Sequence, residues 1–200
     1  PMSVVASPTP PPSEDTPFVQ FWNEVLAPKF IRFKHILVDG LSRHSEAVFP
    51  SLPVRPGDRV LDVGCGFGDA TIRLAELVGP TGRVVGVDCC DAFLDHARAE
   101  VRARGLSDVV FVRADAEIAL PTNQYDFVFS RFGTMFFANP VAGLRNMRKA
   151  LRPGGRMVLV TTDRDGVGPV IREHLDATTV RSSLTPRLLS ILALNMVIWA

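Results

Sequence analysis

The chain has 200 residues, of which 46% are hydrophobic and 22% are charged, and its formal net charge is +1. This composition is typical of a globular protein and excludes a disordered chain, a collagen and a coiled coil. A charge balance this close to zero favours neither nucleic acid nor an anionic membrane as a partner.

The cysteines and the first residues of the sequence indicate the cellular compartment of the protein. Three cysteines do not make a disulfide framework, and none are spaced as Cys-x-x-Cys, so we expect free thiols and no metal site. The start has no basic and apolar signal-peptide pattern, and the apolar stretch 188–200 is shorter than the roughly 20 residues of a spanning helix. Together these features predict a cytoplasmic protein without a membrane span.

The N-terminal quarter of the chain divides into a tail and an arm. Residues 1–17 are rich in proline, serine and threonine, which is typical of a disordered tail. Thr16 and Pro17 then form a helix-start signal. The apolar residues that follow at helical spacing are Phe18, Phe21, Trp22, Val25 and Leu26. We predict a helical arm over residues 18–50, broken at Pro28, that acts as a lid and whose deletion spares the rest of the fold.

Residues 51–162 alternate between short β-branched runs and helical patterns. The predicted strands are Val60–Val63, Val84–Val87, Val109–Val112, Phe127–Ser130 and Met157–Val160, and the predicted helices lie near Asp69–Leu77, Asp91–Arg104 and Pro140–Leu151. Strands that are apolar nearly throughout indicate a parallel sheet covered on both faces. The right-handed crossover rule then predicts a doubly wound, Rossmann-like α/β fold with strand order 3-2-1-4-5.

The strongest motif is VLDVGCGFG, at Val60–Gly68, where a buried strand ends in three glycines and a helix follows. Glycines there let a ligand approach the backbone, and ligands of open α/β sheets bind beyond the carboxyl ends of the strands. The spacing is Gly-x-Gly-x-Gly, not the Gly-x-Gly-x-x-Gly of dinucleotide sites. Asp62, two residues before the first glycine, disfavours a pyrophosphate and suits a cationic ligand.

Two further acids follow the second and third predicted strands. Asp88 ends the second strand, where a carboxylate can accept hydrogen bonds from two ribose hydroxyls. Asp115 follows the third strand and could accept from an adenine amino group. Asp88 alone is equally consistent with a turn or helix-capping residue, and Asp115 alone is more typical of a loop acid than of a ligand-binding residue. Together with Asp62, however, they place three acids at one sheet edge. That edge is therefore predicted to bind a nucleoside-bearing cofactor.

Four sequence blocks resemble a known family. They are VLDVGCGFGDA, VVGVDCCDAFL, FVRADAEIALP and YDFVFSRFGTMFF followed by LRPGGRMVLV, and they span roughly residues 54–161. This set resembles the class I S-adenosylmethionine-dependent methyltransferases of the small-molecule type, similar to the quinone-biosynthesis C-methyltransferases. The resemblance implies a transferase that moves the methyl group of S-adenosyl-L-methionine to a small-molecule acceptor by in-line displacement.

The resemblance also implies roles for residues of this sequence. The cofactor-binding candidates are Asp62, Gly64, Cys65, Gly66, Gly68, Asp88, Cys89, Asp115, Ala116 and Ser130. The acceptor-side candidates are Phe21, Trp22, Arg131 and Phe132. Arg131 reads equally well as a salt-bridge residue. Such a transfer needs mostly positioning and exclusion of water, and none of the histidines is identified as a general base, so the catalytic residue stays unassigned.

Two other readings compete with this one. A nicotinamide-dependent short-chain dehydrogenase needs a Tyr-x-x-x-Lys pair, but the only tyrosine, Tyr125, is followed four residues later by Phe129. A non-catalytic or truncated S-adenosylmethionine-binding protein stays open, because residues 163–200 match no block of the family. We expect the antiparallel strands after the fifth strand to be missing or altered. The uncovered sheet edge and the apolar stretch 188–198 would then favour self-association.

Overall fold

The computed structural model describes residues 15–36, 38, 48–162 and 169–172. These residues form a six-stranded sheet in the order β3-β2-β1-β4-β5-β6. The strands are β1 (Arg59–Val63), β2 (Arg83–Asp88), β3 (Val109–Arg113), β4 (Tyr125–Arg131), β5 (Leu151–Thr162) and β6 (Pro169–Arg172). The first five are parallel. The predicted strand order 3-2-1-4-5 and the doubly wound fold are confirmed.

Helices cover both faces of the sheet because successive strand residues point to opposite faces. The helices of the sheet domain are α3 (Asp69–Val78), α4 (Asp91–Arg104) and α5 (Pro140–Ala150). Val60 of β1 packs with Leu74 of α3 on one face, whereas the next residue, Leu61, packs with Met147 of α5 on the other. This alternation buries each strand on both sides, which explains the nearly continuous apolar runs in the sequence.

Strand β5 differs from its prediction at its start. The strand was predicted over Met157–Val160, but it begins at Leu151 and includes the segment Arg152–Gly155. Leu151 pairs with Tyr125, and the register then shifts before Arg156 pairs with Phe127. Gly154, at φ +78°, provides the left-handed residue that such an irregularity needs. Residues 152–155 therefore form a β-bulge within β5 and do not interrupt the strand.

The outer edge of β5 also differs from its prediction. Strand β6 runs antiparallel to β5 and pairs with Leu159–Thr162. The expectation of an edge without an antiparallel partner is therefore wrong for this part of the chain. A backbone ladder needs only amides and carbonyls, so a segment in which we recognised no sequence block can still supply it. The apolar stretch 188–198, to which we assigned self-association, lies outside the described residues.

The arm is helical through the predicted break. It comprises α1 (Pro17–Phe21), a π-helical segment (Trp22–Leu26) and α2 (Ala27–Arg32). The side chain of Thr16 caps the start by accepting a hydrogen bond from the amide of Val19 at 3.3 Å. Pro28 falls in the first turn of α2, where the wider π-helical segment before it accommodates a residue without an N–H group.

The boundary between arm and core lies earlier than residue 50. Val48 and Phe49 are buried in the main core, and the Phe49 ring contacts that of Phe129 with centroids 5.7 Å apart. Deleting residues 1–50 would therefore remove part of the core, which corrects the expectation that the deletion spares the sheet. The predicted tail lies outside the described residues except for its last three. Of the helices in the described ranges, none combines the length and the apolar character needed to cross a membrane.

Candidate functional site

A cavity of about 160 Å³ opens at the carboxyl ends of the parallel strands. Such a volume holds a small molecule rather than a single water. Its walls come from the loops after β1, β2, β3 and β4, and the arm contributes Phe18, Trp22 and Phe30. The site therefore lies at the position where open α/β sheets bind ligands.

The glycine loop after β1 forms one wall of the cavity. Gly64 (φ +70°) lies so close to the loop after β4 that a Cβ atom there would come within 2.8 Å of the Gly133 Cα. Gly66 (φ +53°) is the opposite case, because a Cβ atom at this position would meet no protein atom within 4 Å. Both residues line the cavity. Gly66 thus presents bare backbone to the space that a ligand would fill.

Asp88 lies at the end of β2 with its carboxylate fixed by backbone amides. The amide of Gly66 donates to one carboxylate oxygen at 2.9 Å and the amide of Cys90 donates to the other at 3.0 Å. Burial raises the pKa of Asp88, and these amide hydrogen bonds oppose that shift. The carboxylate lines the cavity and also ties the loop after β1 to the loop after β2.

The loop after β3 brings Asp115, Ala116 and Glu117 to the cavity. The Asp115 carboxylate accepts from the Glu117 amide at 2.8 Å, which holds the turn. The Glu117 carboxylate accepts from the amide of Ala138, at 2.9 Å, and from that of Asn139. Our sequence interpretation missed Glu117. Its partners belong to a loop more than twenty residues away, and no local motif indicates that contact.

Asp62 is buried beneath the cavity and does not line it. Its carboxylate accepts a hydrogen bond from the Thr71 hydroxyl at 2.6 Å, which fastens β1 to α3. Burial raises the pKa of Asp62 to about 7, against the lowering effects of the Thr71 hydrogen bond and the positive charge of Arg131. The acid that opens the glycine motif therefore supports the loop from below.

This burial predicts a pH dependence of folding. Because the pKa of Asp62 is about 7 in the folded state and near 3.8 when unfolded, the folded state holds an extra proton between these values. Stability should therefore fall as the pH rises from about 4 to 7, and level off above that range. We expect Asp62→Asn to remove this part of the pH dependence, on the order of a few kcal/mol. Denaturant unfolding of both proteins across this pH range measures it, and parallel curves would contradict it.

The acceptor-side candidates fall into two groups. Arg131, Phe132 and Trp22 line the cavity, whereas Phe21 does not and is 41% exposed. Val19, Trp22 and Leu26 are buried and define the inner face, and Phe21 points about 100° away from its neighbour Trp22. The structure therefore does not place Phe21 at the site.

Arg131 makes the salt bridge that the sequence left as an alternative to acceptor contact. Its guanidinium lies 2.6 Å from the Asp69 carboxylate, and its side chain is only 8% exposed. Both residues line the cavity. The guanidinium is therefore held at the cavity wall by a partner on α3, with its position fixed before any acceptor arrives.

Two more of the cofactor candidates, Ser130 and Gly68, do not line the cavity. Ser130 is fully buried, and its hydroxyl has no hydrogen-bond partner within the part of the chain that the structure describes. Gly68 begins α3, where a Cβ atom would come within 2.7 Å of the Phe111 ring. Its glycine is required by packing rather than by a ligand.

The arm is docked over the cavity by rings and polar contacts. The Trp22 ring contacts those of Phe136 and Phe30, with centroids 5.0 and 5.5 Å apart. The Asn23 side-chain amide donates to the Cys89 carbonyl at 3.1 Å, next to Asp88. At the start of the arm, Asp15 pairs with Arg113 at 2.6 Å. The arm thus closes the side of the cavity that the strand loops leave open.

Two proteins with similar sequences are described as methyltransferases. The ubiquinone/menaquinone biosynthesis C-methyltransferase of Ectopseudomonas mendocina is 38% identical over 154 residues, which are 76% of this chain and 60% of that protein. The demethylmenaquinone methyltransferase of Geobacillus kaustophilus is 36% identical over 60% of this chain and 51% of its own. This chain thus spans little more than half the length of these relatives.

Two solved structures with a similar fold are also described as methyltransferases. A structure described as a SAM-dependent methyltransferase from Aquifex aeolicus superposes with a TM-score of 0.55 at 27% identity, covering 59% of this chain and 63% of that one. One from Mesorhizobium loti has a TM-score of 0.53 at 29% identity, covering 59% and 53%. The family described as a methyltransferase domain matches residues 55–186, which include every strand of the sheet. The chain belongs to this methyltransferase-domain family, as its four sequence blocks predicted.

Proposed function

We propose that the protein binds S-adenosyl-L-methionine in this cavity and transfers its methyl group to a small-molecule acceptor. The observation that supports this most directly is the Asp88 carboxylate, which the Gly66 and Cys90 amides hold beside the open backbone of Gly66. Acids after β2 and β3 suit a ribose and an adenine. The family and its solved members add the cofactor identity.

The proposed placement of the cofactor follows the order of the loops. Asp88 would hold the ribose hydroxyls, with Cys89 beside the sugar. Asp115 and Ala116 would meet the adenine, and the loop Gly64–Gly66 would lie along the methionyl part. Bound there, the sulfonium supplies an activated methyl group. The carboxylates that line the cavity favour a cationic ligand of this kind.

Asp62, Gly68 and Ser130 have a supporting role in this proposal. They lie under the loop rather than at the cavity, so we assign to them the placement of the loops and not contact with the ligand. The hydrogen bond from Thr71 to Asp62 keeps the start of α3 next to the end of β1. This arrangement fixes the loop before the cofactor binds, which reduces the cost of ordering it.

The acceptor side of the proposed site is formed by Trp22, Phe132 and Arg131, without Phe21. The rings exclude water and offer flat apolar contact, while the guanidinium can orient a polar group of the acceptor. No side chain is assigned as a general base. Catalysis would then rest on holding acceptor and methyl group in line, which is the main requirement of this reaction.

Calorimetry with three ligands tests the cofactor. We expect S-adenosylmethionine and S-adenosylhomocysteine to bind with one-to-one stoichiometry and NAD not to bind. Release of S-adenosylhomocysteine is then measured with candidate acceptors, beginning with the quinone precursors that the names of the relatives suggest. Binding without turnover on any acceptor would favour the non-catalytic alternative, and NAD binding would contradict the proposal.

The arm is proposed to act as a lid, and Trp22→Ala tests this. The substitution removes the ring that contacts Phe30 and Phe136, so the arm should loosen and the cofactor should dissociate faster, by roughly tenfold for about 1.4 kcal/mol of lost contact. Phe21→Ala is the matched control, because that ring is 41% exposed and does not line the cavity. Stopped-flow displacement of S-adenosylhomocysteine measures both rates. Equal rates would mean that the arm does not close the site.

The remaining features of the proposal concern organisation and surroundings. We propose an arm, a cofactor-binding core over residues 51–162 and, from residue 163, an atypical C-terminal segment that adds β6 to the sheet of the core. A cytoplasmic location, absence of nucleic acid binding and self-association through 188–198 stay predictions from the sequence. Size-exclusion chromatography at several concentrations tests self-association, and a concentration-independent monomer would exclude it.

A further inference from the structure

We propose that Asp88, Cys89 and Cys90 form a binding site for one thiol-seeking divalent metal ion, such as Zn²⁺ or Cd²⁺, and that an ion bound there excludes the cofactor. The ligand atoms of the three side chains all lie within 4.8 Å of one another. The exclusion rests on the proposed function, in which Asp88 holds the ribose. The metal site itself does not depend on that assignment.

The donor set defines the kind of ion. Thiolates select ions such as Zn²⁺ and Cd²⁺ over the hard ions Mg²⁺ and Ca²⁺, which prefer oxygen. Ligand atoms around one tetrahedral zinc lie about 3.5–4 Å apart, given Zn–S bonds of about 2.3 Å. The spread of up to 4.8 Å between the three ligand atoms exceeds this by about 1 Å, so the side chains must move closer together when they bind one ion. Two thiols and one carboxylate leave the fourth position for water.

The surroundings orient the site and give access to it. The Gly66 and Cys90 amides hold the Asp88 carboxylate from behind, as hydrogen-bond donors do for carboxylates that bind metals. Cys89 is half-buried and lines the cavity, so an ion can enter from there, whereas Cys90 is fully buried below it. The sulfur atoms of Cys89 and Cys90 lie within 4.8 Å of each other.

Charge and protonation determine when the ion binds. Among the described residues, the cavity is lined by the acidic residues Asp69, Asp88, Asp115 and Glu117 and by one basic residue, Arg131. This excess of acidic side chains raises the local concentration of cations in the cavity. As each S–metal bond forms, its S–H proton is released to solvent, two protons for each ion. Binding should therefore strengthen as the pH rises.

Cd²⁺ is the probe for this site, because Cd²⁺–thiolate bonds absorb in the ultraviolet. We expect one equivalent of Cd²⁺ to produce this absorption in the full chain, and to produce it at lower Cd²⁺ concentrations at higher pH. Cys89→Ser and Cys90→Ser should each lose at least half of the absorption per ion. Cys65→Ser should retain it, because Cys65 is a buried thiol of the same cavity that lies outside the cluster. Circular dichroism verifies the fold of each variant.

A competition experiment tests the metal site separately from the exclusion of the cofactor. Saturation with S-adenosylhomocysteine should weaken Cd²⁺ binding at least tenfold, and Cd²⁺ should weaken binding of that ligand equally. Absorption that persists in both Cys89→Ser and Cys90→Ser, or is absent from the unmodified chain, overturns the metal site. Simultaneous binding overturns the exclusion. A protein that binds Cd²⁺ but neither S-adenosylmethionine nor S-adenosylhomocysteine contradicts the proposed function and still supports the metal site.

Discussion

Replacement of Gly66 by valine should abolish cofactor binding while leaving the sheet folded. The branched side chain would project into space where no protein atom lies within 4 Å, so it would displace the ligand and not the protein. The positive φ of +53° adds a backbone cost of roughly 1–2 kcal/mol. We expect the dissociation constant for S-adenosylmethionine to rise at least about 100-fold, equivalent to about 2.7 kcal/mol. Calorimetry and thermal unfolding measure the two effects separately.

Gly105→Val is the control for backbone strain. Gly105 ends α4 at φ +66°, and a Cβ atom there also meets no protein atom within 4 Å, but the residue does not line the cavity. Both variants should lose a similar amount of stability, and only Gly66→Val should lose binding. If both bind the cofactor normally, the space beside Gly66 is not the ligand site.

Asp88→Ala should weaken cofactor binding about tenfold or more. Hydrogen bonds to a charged group contribute roughly 1.5–3 kcal/mol, and this carboxylate is proposed to accept two from the ribose. The alanine also leaves the Gly66 and Cys90 amides without their acceptor, so the loop that meets the methionyl part should loosen. Asp88→Asn keeps one acceptor oxygen, so its dissociation constant should lie between those of the unmodified protein and of Asp88→Ala. Titration calorimetry with S-adenosylhomocysteine gives the three dissociation constants.

The control for Asp88→Ala is Asp58→Ala. Asp58 is also a buried carboxylate that accepts from a backbone amide, that of Arg55 at 2.9 Å, but it lies outside the cavity lining. Its loss should lower stability without changing the affinity for the cofactor. An unchanged dissociation constant in a folded Asp88→Ala protein would remove this residue from the proposed site.

The parts that the sequence predicted are those set by local patterns. The β-branched runs around Val60, Val84 and Val109 predicted the strands, and the chirality of crossovers then fixed their order. The acids at Asp88 and Asp115 were found because parallel strands end at one edge. Each of these inferences needs only residues close together in the sequence.

The parts that the sequence did not predict depend on contacts between distant segments or on small changes of register. Trp22 and Phe30 are eight residues apart, and in a regular α-helix that spacing turns the chain about 80° past two full turns. The π-helical segment between them has more residues per turn, so it rotates the chain less and offsets these 80°. Both rings therefore reach Phe93. Ser130 and Phe21 were misplaced for a similar reason, since a motif gives the position in the chain and not the side that faces the cavity.

The contact between Gly64 and Gly133 determines which parts of the site can move. A Cβ atom on Gly133 would come within 2.9 Å of the Val63 carbonyl and 3.0 Å of the Gly64 Cα, so the loops after β1 and β4 touch backbone to backbone. The amide of Gly64 is also bonded to the Val87 carbonyl at 2.9 Å. These two loops therefore form one side of the cavity, and neither loop can move outward without the other. We therefore expect ligands to enter and leave on the side of the arm, whose described residues contact the core through side chains such as Trp22 and Asn23.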